Sequence, residues 1–134
     1  MSGRFVVLDA SVGVKWFRDE PGSDEARDLL RQHAAGTVRL VVPSLFLYEV
    51  LDVARRHFGV DGARRVWRSL VSDDLVVAGP DAELMGRTLD VAGALGCTLY
   101  DAAAPALAEH LDCELVSADA RAHARHPGVR LLGV

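Results

Sequence analysis

The stretch Phe5-Val6-Val7-Leu8, followed by Asp9-Ala10-Ser11, constrains the fold more than any other part of the chain. An unbroken aliphatic run lacks the alternation of a half-wet strand and predicts one buried on both faces, as in a parallel sheet covered by helices. Asp9 then stands where that strand emerges. In open α/β sheets the ligand crevice lies outside the carboxyl ends of the strands, so this carboxylate is placed for chemistry. It would serve equally as the cap of a following helix, and taken alone that role is the simpler one. Three more carboxylates reaching the same edge shift the balance.

The rest of the chain alternates helical and strand signals. Ser23, with Asp24 and Glu25 behind it, predicts the N-cap of a helix carrying Ala26, Leu29, Leu30 and His33 and ending at Gly36. Leu40, Val41 and Val42 form a second buried strand stopped by Pro43, after which Ser44 is expected to cap a helix running to about Phe58 and ending at Gly59. A further helix begins at Asp61 or Gly62. Leu75 to Ala78 make a third strand, and Gly79, Pro80 and Asp81 open a helix closed by Gly96. Thr98 then caps a helix with Asp101 at its third position, Leu115 and Val116 form a fourth strand surfacing at Ser117-Ala118-Asp119, and Val129 to Leu132 form an edge strand. The expected fold is α/β: a single three-layer domain over residues 1–134, with a central, mostly parallel sheet of four to five strands and helices on both faces. At 134 residues such a domain buries roughly two-thirds of its unfolded surface without staples.

Right-handed crossovers make neighbouring strands parallel, so Asp9 and Asp119 emerge on one edge of the sheet. Helices running back antiparallel bring the first turns that carry Glu49 and Asp101 to that edge as well. Two such carboxylates about 4 Å apart would repel by about 4 kcal/mol at an effective dielectric of 20, enough to raise one pKa or demand a cation. Hard oxygen ligands without a neighbouring cysteine or histidine set suit Mg2+ or Mn2+, one or two ions. Ser11 and Ser117 are placed to orient the carboxylates.

Oxygen-bound divalent ions at such an edge most often work on phosphates. The net charge of −4 argues against a module that grips nucleic acid through bulk positive charge, whereas two divalent ions would cancel four carboxylates and admit a polyanion at one spot. Phosphatases and receiver domains that end their first strand in aspartate also need a lysine late in the chain, and the only lysine is Lys15. There is no Walker loop, zinc helix or nucleophile elbow, and no histidine pair suited to metal-free ribonuclease chemistry.

Cys97 and Cys113 flank a helix that would hold them roughly 16 to 20 Å apart, far beyond disulfide reach, so both are expected as free thiols. No apolar run approaches a bilayer span, and Phe5 to Leu8 is too short for a targeting core; a cytoplasmic location is expected. Leu45, Phe46, Leu47, Tyr48, Val50, Leu51 and Val53 leave little polar face on their helix, which is therefore either wholly buried or a surface for a partner.

The ordered set Val7-Leu8-Asp9-Ala10-Ser11 with Lys15-Trp16, Pro43-Ser44 before Glu49, Tyr100-Asp101-Ala102-Ala103 with Ala106-Leu107-Ala108-Glu109, and Ser117-Ala118-Asp119 resembles the PIN-domain family across essentially the whole chain. In style it is similar to the VapC-type toxins of type II toxin–antitoxin pairs. That resemblance implies a Mg2+- or Mn2+-dependent endoribonuclease with Asp9, Glu49, Asp101 and Asp119 as catalytic metal ligands, homodimerisation, and inhibition by a small antitoxin. Under it, Asp9, Asp101 and Glu49 hold the first ion and Asp119 completes it or helps hold a second. In-line attack by an activated water would then leave a 5′-phosphate and a 3′-hydroxyl. Pro105 departs from the family pattern, where a larger side chain such as tyrosine is usual.

Two other readings remain open: a catalytically silent PIN-like interaction module, and a metal-dependent phosphatase of small esters. Arg55, Arg56, Arg64, Arg65, Arg121 and Arg125 are candidate RNA contacts, although for each alone a solvated helix charge is the commoner explanation.

Overall fold

Val6, Val7 and Leu8 have no exposed surface, which a strand achieves only in the middle of a sheet covered on both faces. The computed structural model describes residues 3–133. In it β1 (Arg4–Leu8) is the central strand of a five-stranded sheet ordered β3-β2-β1-β4-β5, with β2 Val38–Pro43, β3 Val76–Ala78, β4 Glu114–Ser117 and β5 Arg130–Leu131. Every pairing is parallel. The chain lays down β1, β2 and β3 in one direction, then crosses back to place β4 and β5 on the other side of β1. The order therefore reverses between β1 and β4, and such a switch point leaves a crevice at the carboxyl ends of its two strands.

Alternate residues of β1 feed two cores. Val6 and Leu8 pack with Leu40, Val42, Val116, Phe46, Val50 and Leu29 under the helices α1 (Ala10–Val14), α2 (Ser23–Ala34) and α3 (Ser44–Asp73). Val7 packs with Val41, Leu115, Leu84, Ala104 and Leu107 under α4 (Ala82–Leu95) and α5 (Leu99–Leu111). These are the three layers expected, and Val129 joins the second core beside β5. Among the described residues no single helix is long and apolar enough to cross a membrane. Both cysteines are free thiols.

Two caps differ from expectation. Gly22, in the left-handed region at φ 88°, is the N-cap of α2; Ser23 stands one residue inside, where its hydroxyl accepts from the Glu20 amide at 3.0 Å and donates to the Arg18 carbonyl at 2.8 Å. Pro43 occupies the N-cap position of α3, so Ser44 is its first residue and caps nothing. The buried Lys15 ammonium is spent on the same loop, donating to Glu20 and to the Pro21 carbonyl at 2.6 Å. The break in α3 falls at Gly59, whose φ of 73° and ψ of −178° lie in a region essentially closed to other residues.

The apolar first half of α3 divides its duties. Phe46 and Val50 are buried, whereas Tyr48 is 75% exposed. Leu47, Tyr48 and Leu51 line one wall of an apolar cleft of about 620 Å³, with Val60, Ala63 and Trp67 from beyond the Gly59 break on the other wall.

Candidate active site

Each expected acid is positioned by the end of a different element. Asp9 follows β1: its amide extends the ladder to the Val116 carbonyl at 3.0 Å, and its carboxylate caps α1 by accepting from the Ser11 amide at 3.0 Å. The Ser11 hydroxyl also donates to the same oxygen, Oδ2, at 2.5 Å. Asp119 follows β4 and caps α6 (Ala120–His123), its Oδ1 accepting from the Ala122 amide at 3.1 Å. Capping and site duty are thus not rivals here, since each cap occupies one carboxylate oxygen and leaves the other for a ligand.

Asp101 lies in the first turn of α5, where its amide donates to the Thr98 hydroxyl at 3.1 Å. Glu49 lies just over one turn into α3. Asp9, Glu49 and Asp119 line one cavity of about 270 Å³ together with Ser11, Asp52 and Arg56. Asp101 reaches the group through Arg121, whose Nη2 stands 3.7 Å from Asp101 Oδ2 and 3.7 Å from Asp119 Oδ2.

Glu49 registers this concentration of charge: its pKa is raised from 4.5 to about 7. Burial of its inner side is the largest cause, Asp9 and Asp101 add to it, His123 works against it, and Asp119 contributes last. An oxygen-only set holding more negative charge than its cations balance fits a hard divalent ion. Among the described residues, however, no three histidine, cysteine or acidic side chains already meet at ion-binding separation. Direct ligation by three or more of these acids would therefore require side-chain movement.

The two serines tie the strand ends together beneath the acids. Ser11 Oγ accepts from the Ala118 amide at 2.9 Å, Ser117 Oγ accepts from the Asp119 amide at 3.0 Å, and the hydroxyls are 3.5 Å apart. An all-parallel sheet with acids gathered at its switch point is the setting in which a family assignment carries weight. The PIN domain family model matches residues 6–128. This chain belongs to the PIN domain family.

Solved structures agree with the PIN fold. A toxin–antitoxin complex from Klebsiella pneumoniae contains a chain 19% identical to this one, with 93% of this chain and 95% of that chain covered at a TM-score of 0.72. DNA-bound VapBC from Salmonella typhimurium is 19% identical over 98% of this chain and 97% of that one, at 0.74. The sarcin–ricin-loop-cleaving toxin VapC20 of Mycobacterium tuberculosis is 14% identical over 95% and 98%, at 0.73. At these identities the likeness is one of fold. No curated protein matches the chain by sequence.

Of the candidate arginines, the PIN domain brings Arg56 and Arg121 to the acids. Arg56 shares Asp52 with Arg55, at 3.6 and 3.0 Å. Arg64 pairs with Asp61 on the rim of the apolar cleft, Arg65 lines a separate groove with Trp16, Phe17 and Asp73, and Arg125 donates to the Leu95 carbonyl. His123 has no counterpart in the sequence reading. It is 1% exposed, with Nδ1 2.6 Å from Ser117 Oγ and Nε2 2.9 Å from the Asp101 carbonyl. Its only signal in the sequence is its place four residues after Asp119, a helical interval that carries no chemistry by itself.

Proposed function

We propose that this PIN domain is a divalent-metal-dependent endoribonuclease and the toxin of a toxin–antitoxin pair. The observation that carries the reading is the convergence of Asp9, Glu49, Asp101 and Asp119 on the β1–β4 switch point, with Glu49 lifted to about 7 by burial and the other acids. Mg2+ or Mn2+, as one ion or two, would be held by these four carboxylates. When bound, such an ion neutralises phosphate charge and lowers the pKa of water.

The chain's own residues supply the rest. Ser11 holds Asp9 by Oδ2, which leaves Oδ1 free of these bonds, and the Ser117–His123 pair sets the β4 end from which Asp119 projects. Arg56 and Arg121 flank the acids and are placed to take phosphates of the strand on either side of the scissile bond. The products expected are a 5′-phosphate and a 3′-hydroxyl.

The Klebsiella neighbour is a toxin–antitoxin complex and the Salmonella one a DNA-bound VapBC, which supports an antitoxin partner here. The apolar cleft between the halves of α3, with Tyr48 and Trp67 exposed, is a surface such a partner would cover. A second exposed apolar group, Met85, Leu89, Leu99 and Tyr100 on α4 and α5, suits a homodimer contact.

The competing reading is a silent interaction module, favoured by the lack of three ready-placed ligands. One assay separates the two. The purified protein is given RNA with Mg2+, Mn2+ or chelator, beside Asp9→Asn, and the product ends are identified. Metal-dependent cleavage lost in the variant is expected; cleavage indifferent to chelation and to Asp9→Asn, or none with either metal, overturns the proposal.

A further inference from the structure

Pro105 lies inside α5, four residues after Asp101. In an α-helix the carbonyl of residue 101 accepts from the amide of residue 105, and proline has no amide hydrogen to give; its ring also crowds that carbonyl. The Asp101 carbonyl is thereby left without its helical donor, in the turn that carries one of the four site acids. The structure supplies a replacement from elsewhere in the chain: His123 Nε2 lies 2.9 Å from the Asp101 carbonyl oxygen. A carbonyl only accepts, so Nε2 carries the hydrogen. Nδ1 pairs with the Ser117 hydroxyl at 2.6 Å. His123 is also fixed through its main chain, its amide donating to the Asp119 carbonyl at 3.0 Å.

We infer that Pro105 and His123 form one positioning device, in which the carbonyl released by the proline is recaptured by the histidine, locking the Asp101 turn of α5 to the Asp119 turn of α6. His123 is accordingly a positioning residue that acts through two acids. Pro105 and His123 are both buried, so a carbonyl left unpaired between them would be costly. The inference rests on the metal-nuclease reading only for its consequence; the coupling between residues 105 and 123 is a property of the folded chain.

The test is a double-mutant cycle on the full chain, read by Mn2+ titration calorimetry and by urea unfolding. His123→Asn is too short to reach the Asp101 carbonyl, whereas His123→Gln retains an N–H donor near the Nε2 position. Pro105→Ala restores the helical amide donor to the same carbonyl. Since losing an outer-shell partner costs about 10–100-fold in metal affinity, His123→Asn is expected to weaken Mn2+ binding by at least about tenfold, and His123→Gln by much less. On the Pro105→Ala background, His123→Asn is expected to cost less than about threefold, because the carbonyl again has a donor.

Equal losses from Asn and Gln, or the same loss on both backgrounds, overturn the inference. If the wild-type chain takes up no Mn2+, it is the nuclease reading that fails. The coupling is then read from the urea midpoints alone, where a smaller His123→Asn shift on the Pro105→Ala background supports the device and additive shifts overturn it. Should His123→Asn not fold by itself, recovery of folding in the double variant is the supporting result and its failure the contrary one.

Discussion

Arg121 Nη2 stands 3.7 Å from Asp119 Oδ2, two residues back along the chain, and its reach to Asp101 makes it the one cation leaning on both acids among the described ion pairs. At 78% exposure and this separation the pairs contribute little to stability. Their consequence is competition. A guanidinium resting on two candidate ligands must move aside before a divalent ion is bound, and once displaced it is free for phosphate. Arg121→Ala is therefore expected to tighten Mn2+ binding several-fold while weakening RNA binding and lowering its salt slope by about one. Calorimetry with Mn2+ and RNA binding across a salt series measure the two effects; a variant that loses metal affinity would contradict this role.

Asp9 does two jobs that chemistry can separate. Asparagine caps a helix as well as aspartate does, so Asp9→Asn should keep α1 and unfold at the wild-type temperature or slightly above it, one repulsive charge having left the cluster. Cleavage should fall by about a hundredfold or more, since a direct ligand is worth at least what outer-shell partners are. Asp9→Ala should lose both, with about 1 kcal/mol of stability gone with the cap. Thermal unfolding beside an RNA cleavage assay distinguishes the pair.

Glu49 sets a pH dependence. Its carboxyl titrates near 7 in the folded chain against 4.5 as an isolated side chain, so the folded state binds its proton more tightly than the unfolded state does. The contribution to stability is present below about 4.5 and is lost as pH rises through 7, making the metal-free protein less stable at pH 8 than at pH 5 on this account. A divalent ion competes with that proton. Metal affinity should therefore climb by up to about tenfold per pH unit below 7 and level off above it, and Glu49→Gln should flatten the climb. Titration calorimetry at pH 5.5, 6.5 and 7.5 checks the slope.

The elements legible in the sequence are those whose signal is local. The run from Phe5 to Leu8 announced a strand buried on both faces, which holds for Val6 to Leu8 but not for Phe5, 47% exposed at the start of the strand; Gly59 announced a helix break and Thr98 a cap, because each depends on one residue's own conformational or hydrogen-bonding preference. Ser23 and Ser44 misled for the same reason: a good capping residue sits beside a Gly22 already turned left-handed and beside a Pro43 that takes the cap position without a side-chain bond. The convergence of the acids followed from parallel topology. What joins them did not. His123 matters through a carbonyl 22 residues away and Arg121 through an acid 20 residues away, distances along the chain that no periodicity reports.

Gly13 was equally silent and now yields a prediction. A Cβ there would stand 2.6 Å from Phe46 Cζ and 2.9 Å from Val50 Cγ2, both on the buried side of α3. Helix propensity alone favours Gly13→Ala by up to about 1 kcal/mol, but overpacking a filled core costs about 1–3 kcal/mol, so the clash should win and the variant lose about 1 kcal/mol or more. Gly59→Ala provides the contrast: nothing lies within 4 Å of its Cβ, so its penalty, about 1–3 kcal/mol, is backbone strain alone. Urea unfolding should find both destabilised. Only Gly13→Ala should also depress RNA cleavage beyond its loss of folded protein, because relief of the clash pushes α1 away from α3 and carries Ser11 and the Asp9 carboxylate with it.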